Sequence, residues 1–162
     1  MEIRKTVKND IDAVMKIYKD ARSFMVKTGN PNQWTNYPTL DNILSDIENG
    51  YGYVVCEGEE IVGVFHFRTG IDPTYLIIEN GEWKNDLPYG VIHRIAVKYH
   101  ARGIADFIYN YCFNMKQNLK IDTHKDNIPM QRSLIKNGFE YCGIIHIESG
   151  DERVAYQKTS GK

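Results

Sequence analysis

The stretch from residue 90 to residue 124 constrains the fold most. "GVIHRIAV" (90–97) is almost wholly apolar, as a strand covered on both faces must be. A glycine-hinged corner follows, "YHARGIADF" (99–107). Apolar residues then recur at the helical period, at Ile104, Phe107, Ile108, Tyr111, Cys112 and Met115. "LKIDTH" (119–124) reads as a second strand. Strand, helix and strand in this order predict a right-handed crossover and a locally parallel pair. The fold class that follows is an α/β layer fold.

The flanking sequence fills in the rest. "MEIRKTV" alternates and reads as a short strand. From Asp10, the apolar positions Ile11, Val14, Ile17, Tyr18, Ala21 and Met25 mark a helix that Gly29 and Pro31 end. Leu40, Ile43, Leu44 and Ile47 mark a second one, with Thr39 as N-cap and Gly50 beyond its end. Two β-rich runs flank Glu57-Gly58-Glu59 as a hairpin, and "IDPTYLIIENGEW" (71–83) reads as a further strand reaching a turn at Asn80-Gly81. Asn127 caps a helix with Pro129 in its first turn and Gly138 just past its end. "FEYCGIIHI" and "ERVAYQK" close the chain as a hairpin. No repeat or linker interrupts residues 1–162, so one domain is expected.

Composition excludes several function classes. Acidic and basic residues are interspersed at a net charge of -1, without the basic stripe that nucleic acid demands. The longest apolar runs are too short to span a bilayer, and "MEIRKTVKND" carries no apolar signal-peptide core. Cys56, Cys112 and Cys142 are odd in number and far apart, which suits buried thiols in a reducing cytoplasm. The five histidines, His66, His93, His100, His124 and His146, lack metal-ligand spacing, so no metal is expected.

The corner itself has two readings. A helix N-terminus presents unpaired N–H groups and partial positive charge, which attract phosphate. Ala101, Gly103 and Ala105 keep side-chain bulk away from such a ligand, and Arg102 can add charge-assisted hydrogen bonds. The alternative is a tight turn that binds nothing. The pattern is neither GxxxxGK[ST] nor GxGxxG.

"VIHRIAVKYHARGIADF" followed by "THKDNIPMQRSLIKNGFEYCG" resembles the GNAT superfamily of acyl-CoA N-acyltransferases. The family's loop pattern, [Gln/Arg]-x-x-Gly-x-[Gly/Ala], falls on His100-Ala101-Arg102-Gly103-Ile104-Ala105. Its later motif, Asn-x-x-Ala with a helix ending in Gly-Phe, falls on Asn127 and on Gly138-Phe139. The resemblance implies a mixed, mostly antiparallel sheet of six to seven strands, with a central splayed parallel pair and about four helices on both faces. It implies acetyl-CoA as co-substrate, its pyrophosphate held by backbone N–H groups of residues 101 to 105. The pantetheine arm would lie along Ile95, Ala96 and Val97, with Asn127 near the thiol end. The acceptor would be a small-molecule or peptide amine, entering over the first two helices. Acceptor identity and oligomeric state stay open, a homodimer included.

Three departures accompany the resemblance. His100 stands where the pattern has Gln or Arg, and Met130 replaces the usual alanine beside the coenzyme. Leu134 stands where many members carry the tyrosine that protonates the departing thiolate, leaving Tyr141 or water as acid. That departure also keeps open a coenzyme-binding module without turnover. His93, two residues before Ile95, is the first candidate base, the alternative being a core histidine. Arg94 is expected on the opposite face, paired with Asp122. Glu79 and Glu82 could draw in a cationic amine, with Trp83 as a cation–π wall. Trp34 and His124 complete the candidate acceptor contacts.

Overall fold

A computed structural model describes residues 1–160 of the chain. Its seven strands are β1 Glu2–Lys5, β2 Gly52–Glu57, β3 Glu60–Thr69, β4 Gly90–Val97, β5 Asn118–Thr123, β6 Glu140–His146 and β7 Glu152–Thr159. They form one sheet in the order β1-β2-β3-β4-β5-β7-β6. All neighbours run antiparallel except β4 and β5. The helices are α1 Ile11–Lys27, α2 Leu40–Asn49, α3 Ile104–Met115 and α4 Ile128–Lys136.

Strand alternation sorts the apolar side chains into two layers. Val54 and Val64 pack against Val14, Ile17 and Ile43 of α1 and α2. On the other face, Phe65 and Ile92 meet Ile104, Ile108 and Leu134 of α3 and α4. Local chemistry sets the helix ends. The Thr39 hydroxyl accepts from Asn42 N, and Gly50 closes α2 at φ 73°. The Asn127 side chain accepts from Met130 N at 3.2 Å, starting α4. Such caps are worth about 1 kcal/mol each.

The predicted strand over 71–83 does not form. Pro73 lacks an N–H for a ladder, and Asp72 Oδ1 accepts from Thr74 N at 2.9 Å and Thr74 Oγ1 at 2.7 Å. That local turn outcompetes extension and gives a 3-10 turn at Pro73–Tyr75. Of the rest of the stretch, only Glu79 pairs with a strand, bridging Ile144 of β6.

Two irregularities of β4 shape the centre of the sheet. Its pairing with β5 covers only Gly90↔Leu119 and Val91↔Lys120, after which the strands part. Between Val64 and His66 of β3 the register also shifts, and Arg94 takes φ 50°. An extra residue in β4 is a bulge, and it moves the alternation by one. His93 and Arg94 therefore end on the α1/α2 side together. No described helix is long and apolar enough to cross a membrane.

Candidate active site

Where β4 leaves β5, its edge has no ladder partner beyond Val91. The gap opens into a groove of about 550 Å³ bounded by Ile95, Ala96 and Val97, the 99–105 corner and the start of α4. Every residue predicted to contact the coenzyme lines this groove, from His100 through Ala105, with Asn127 and Met130. The corner is built for close approach. Ala101 and Gly103 both have left-handed backbone, at φ 60° and 76°, and a Cβ placed on Gly103 would meet nothing within 4 Å. The first N–H groups of α3 have no intrahelical acceptor, and Ile104 and Ala105, which carry two of them, line the groove. The Arg102 guanidinium sits 4.7 Å over the Tyr99 ring and has no carboxylate partner among the described residues. His100 stacks on Phe24 of α1 with ring centroids 3.8 Å apart, which fixes the head of the corner.

A second cavity of about 800 Å³ lies on the α1/α2 side. It shares Met25, Ile95 and Met130 with the groove, so the two meet across β4. The loop joining α1 to α2 supplies Gln33, Trp34 and Tyr37. Gln33 Oε1 accepts from Asn30 at 2.9 Å and from Asn127 Nδ2 at 3.0 Å, tying this loop to the α4 cap. The Asn127 side chain is thereby committed to Met130 N and Gln33.

His93 lines this cavity with its side chain 26% exposed, and its Nε2 lies 2.8 Å from Asp72 Oδ2. Burial pushes the Asp72 carboxyl up, but hydrogen bonds from His93 and Thr74 outweigh it and hold the group well below the usual carboxylate range. Ionised Asp72 can only accept, so His93 donates its Nε2–H to it, and in the neutral imidazole the free lone pair lies on Nδ1. Asp72 was not among the sequence candidates. The Asp-Pro-Thr turn was readable locally, but its meeting with His93 is purely tertiary.

Arg94 corrects the expected pairing with Asp122. Because the bulge turns it to the same side as His93, it meets α2 instead. Its Nη2 lies 2.6 Å from Asp46 Oδ1, and its Nη1 donates to the Tyr37 hydroxyl at 2.8 Å. Asp46 also lies 2.8 Å from His66 Nδ1. Burial raises the Asp46 carboxyl, yet His66 and Arg94 reverse this and leave it below its ordinary value. Burial conversely lowers His66, against the pull of Asp46. The Tyr18 hydroxyl donates to the Arg94 carbonyl at 2.7 Å, so α1 and α2 both clamp the bulge. Asp122 accepts from the Tyr75 hydroxyl at 2.7 Å.

Four further candidates lie elsewhere. Glu79 and Glu82 line neither cavity. Their segment is held on β6, where Glu79 exchanges backbone bonds with Ile144 at 2.8 Å and Gly81 packs on the Cys142 carbonyl. Trp83 does form a cation–π contact, but with Lys120 of the chain itself, 4.2 Å from its ring. His124 lines a neighbouring cavity of about 620 Å³, with Nδ1 accepting from Asp126 N at 3.0 Å. Leu134 is fully buried in the core, and Tyr141 is 52% exposed on β6, outside both cavities. Trp34, in contrast, stands in the second cavity against Tyr18, ring centroids 5.7 Å apart. Among the described residues, no group of His, Cys, Asp or Glu is arranged to hold a metal.

A splayed parallel pair, a helix N-terminus beside the splay and a second cavity behind it are the layout that the resemblance to the GNAT superfamily implies. A GNAT-family acetyltransferase from Streptococcus agalactiae is 32% identical and superposes with a TM-score of 0.90 over 99% of this chain and 96% of that one. The chain therefore belongs to the GNAT family of acetyltransferases. A family member from Listeria monocytogenes, 17% identical, matches with a TM-score of 0.70 over 97% of this chain and 93% of that one. An aminoglycoside acetyltransferase solved with coenzyme A and kanamycin, 18% identical, matches at 0.65 over 98% and 94%. No family sequence model and no curated protein matches the chain.

Proposed function

We propose that this acyltransferase carries an acetyl group from acetyl-CoA to a primary amine of a small molecule or peptide by direct attack on the thioester. The observation that supports this most is the junction at Ile95 and Met130, which separates the corner groove from the cavity holding the His93–Asp72 pair. The open space at Gly103 and the unpaired Arg102 suit a pyrophosphate. Acetyl-CoA supplies an activated acyl group on a thiol leaving group.

The chain's own residues do the rest. The free edge of β4 offers backbone N–H and C=O groups to an extended arm, as an added strand would use them. A protonated amine must lose its proton before it attacks. His93 Nδ1 is the base, directly or through water, and Asp72 stabilises the imidazolium that results. No side chain takes the place of an acid at Leu134. A thiol of pKa about 8.5 leaves tolerably as the thiolate.

Thiol release from acetyl-CoA in the presence of α-amino acids, peptides, polyamines and aminoglycosides tests the reading. Release with at least one amine is expected. Tight acetyl-CoA binding without release from any amine would overturn it.

A further inference from the structure

Arg153 of β7 is 7% exposed, and it lines both the acceptor-side cavity and the neighbouring one that contains His124. Its guanidinium donates to two backbone carbonyls, Glu152 at 2.9 Å and Gln33 at 3.4 Å. Among the described residues no carboxylate pairs with it. The other cavity guanidiniums differ, since Arg94 is held by Asp46 at 2.6 Å and Arg68 lies 3.8 Å from Asp72. A guanidinium stays charged at any working pH and has five N–H donors. Burying that charge without a counter-ion is unfavourable, so the cavity is incomplete as it stands.

A second charge completes the pattern. Asp122 is opposite Ala155 in the β5–β7 register, and Arg153 lies two residues before Ala155. Asp122 and Arg153 therefore share one face of the sheet as diagonal neighbours, with backbones about 7–8 Å apart. They do not bond to each other. Asp122 has only the Tyr75 hydroxyl as partner, and no described cation pairs with it. The wall thus shows a guanidinium and a carboxylate side by side, each without an ionic partner. Glu148 and Asp151 also border the cavity, but both are exposed on the β6–β7 turn, where water screens them.

We propose that the acceptor is an amine that also carries an anionic group, a carboxylate or phosphate, and that Arg153 holds that anion while Asp122 draws the ammonium. This rests on the amine-transfer reading above. Bidentate pairing suits both anions, and it leaves the amine on the side where β4 and β5 part.

Matched amines test it, with kcat/KM read from thiol release. The carboxylate arm compares L-phenylalanine with phenethylamine, and the phosphate arm compares O-phosphoethanolamine with ethanolamine. In at least one arm the amine that carries the anionic group should exceed the one that lacks it by about tenfold to a hundredfold, the worth of a charge-assisted hydrogen bond. Arg153→Gln should bring that ratio close to one, and Arg153→Lys should hold it between the two. If Arg153→Gln proves unfolded by thermal melting, the wild-type ratio and the lysine variant decide. Amines without the anionic group turned over as well as those with it would overturn the inference and leave amine transfer standing. An equal loss on both members in Arg153→Gln would also overturn it, making Arg153 a support for the Gln33 loop. Silence from every amine, with acetyl-CoA still binding by calorimetry, would overturn both readings.

Discussion

Arg94 Nη2 lies 2.6 Å from Asp46 Oδ1, a bond that reaches from the bulge of β4 to helix α2. The contact holds a residue whose backbone sits at φ 50°, a conformation that costs roughly 1–3 kcal/mol outside glycine. Removing Asp46 would strand a buried guanidinium and release the strain together. Asp46→Ala should lower stability by about 3 kcal/mol, the usual cost of breaking a buried pair from one side. A urea midpoint equal to that of the wild type would show that Tyr37 and His66 suffice to hold Arg94.

The His93–Asp72 pair predicts a split between chemistry and binding. His93→Ala should cut turnover about a hundredfold, the lower range for a lost general base. Acetyl-CoA affinity should barely move, because His93 lines the second cavity and not the groove. Parallel losses in turnover and affinity would make His93 a structural residue.

Asp72 also predicts a response to acid. Its folded-state value is depressed, so the stability it contributes is present above about pH 4, its unfolded value, and is lost as pH falls through the folded one. Asp72→Asn removes that titration. The gap in urea midpoint between neutral pH and about pH 3 should narrow in the variant. An unchanged gap would assign the acid sensitivity to other carboxylates.

Gly103→Glu tests the corner. A side chain there meets open space, and the left-handed φ of 76° costs roughly 1–2 kcal/mol. The fold should survive, while a carboxylate at the head of α3 should abolish acetyl-CoA binding by calorimetry. Unaltered affinity would reduce the corner to a turn.

Glu79→Gln and Glu82→Gln should leave turnover unchanged, since their segment is pinned to β6. Gly81→Ala should instead destabilise the protein by about 1–3 kcal/mol, because a Cβ there would stand 2.0 Å from the Cys142 carbonyl oxygen. A marked loss of turnover in either glutamine variant, with stability intact, would return these carboxylates to the site.

These residues show what a sequence displays and what it hides. Periodicity and caps marked all four helices, with Thr39, Asn127 and Gly50 at the observed ends. The apolar run, the corner and Asn127 were legible because local chemistry dictates them. Asp72, Asp46 and His66 were not, since the role of each at the site comes through a partner at least 20 positions away, as in the Asp46–His66 contact. The bulge was hidden for a different reason. One extra residue leaves composition and apolar content untouched, yet it moved Arg94 from Asp122 to Asp46. The segment over 71–83 misled because its β-forming residues contended with an Asp-Pro turn, and the turn won.

The brief meeting of β4 with β5 has a thermodynamic consequence. Two register positions, Gly90↔Leu119 and Val91↔Lys120, join the four-strand half of the sheet to the three-strand half. An extended co-substrate lying in the gap would act as the missing rung between them. The protein's melting temperature then becomes a function of how much acetyl-CoA surrounds it. At a hundred times Kd the gain is about 2.7 kcal/mol, and amide exchange along β4 should slow in step.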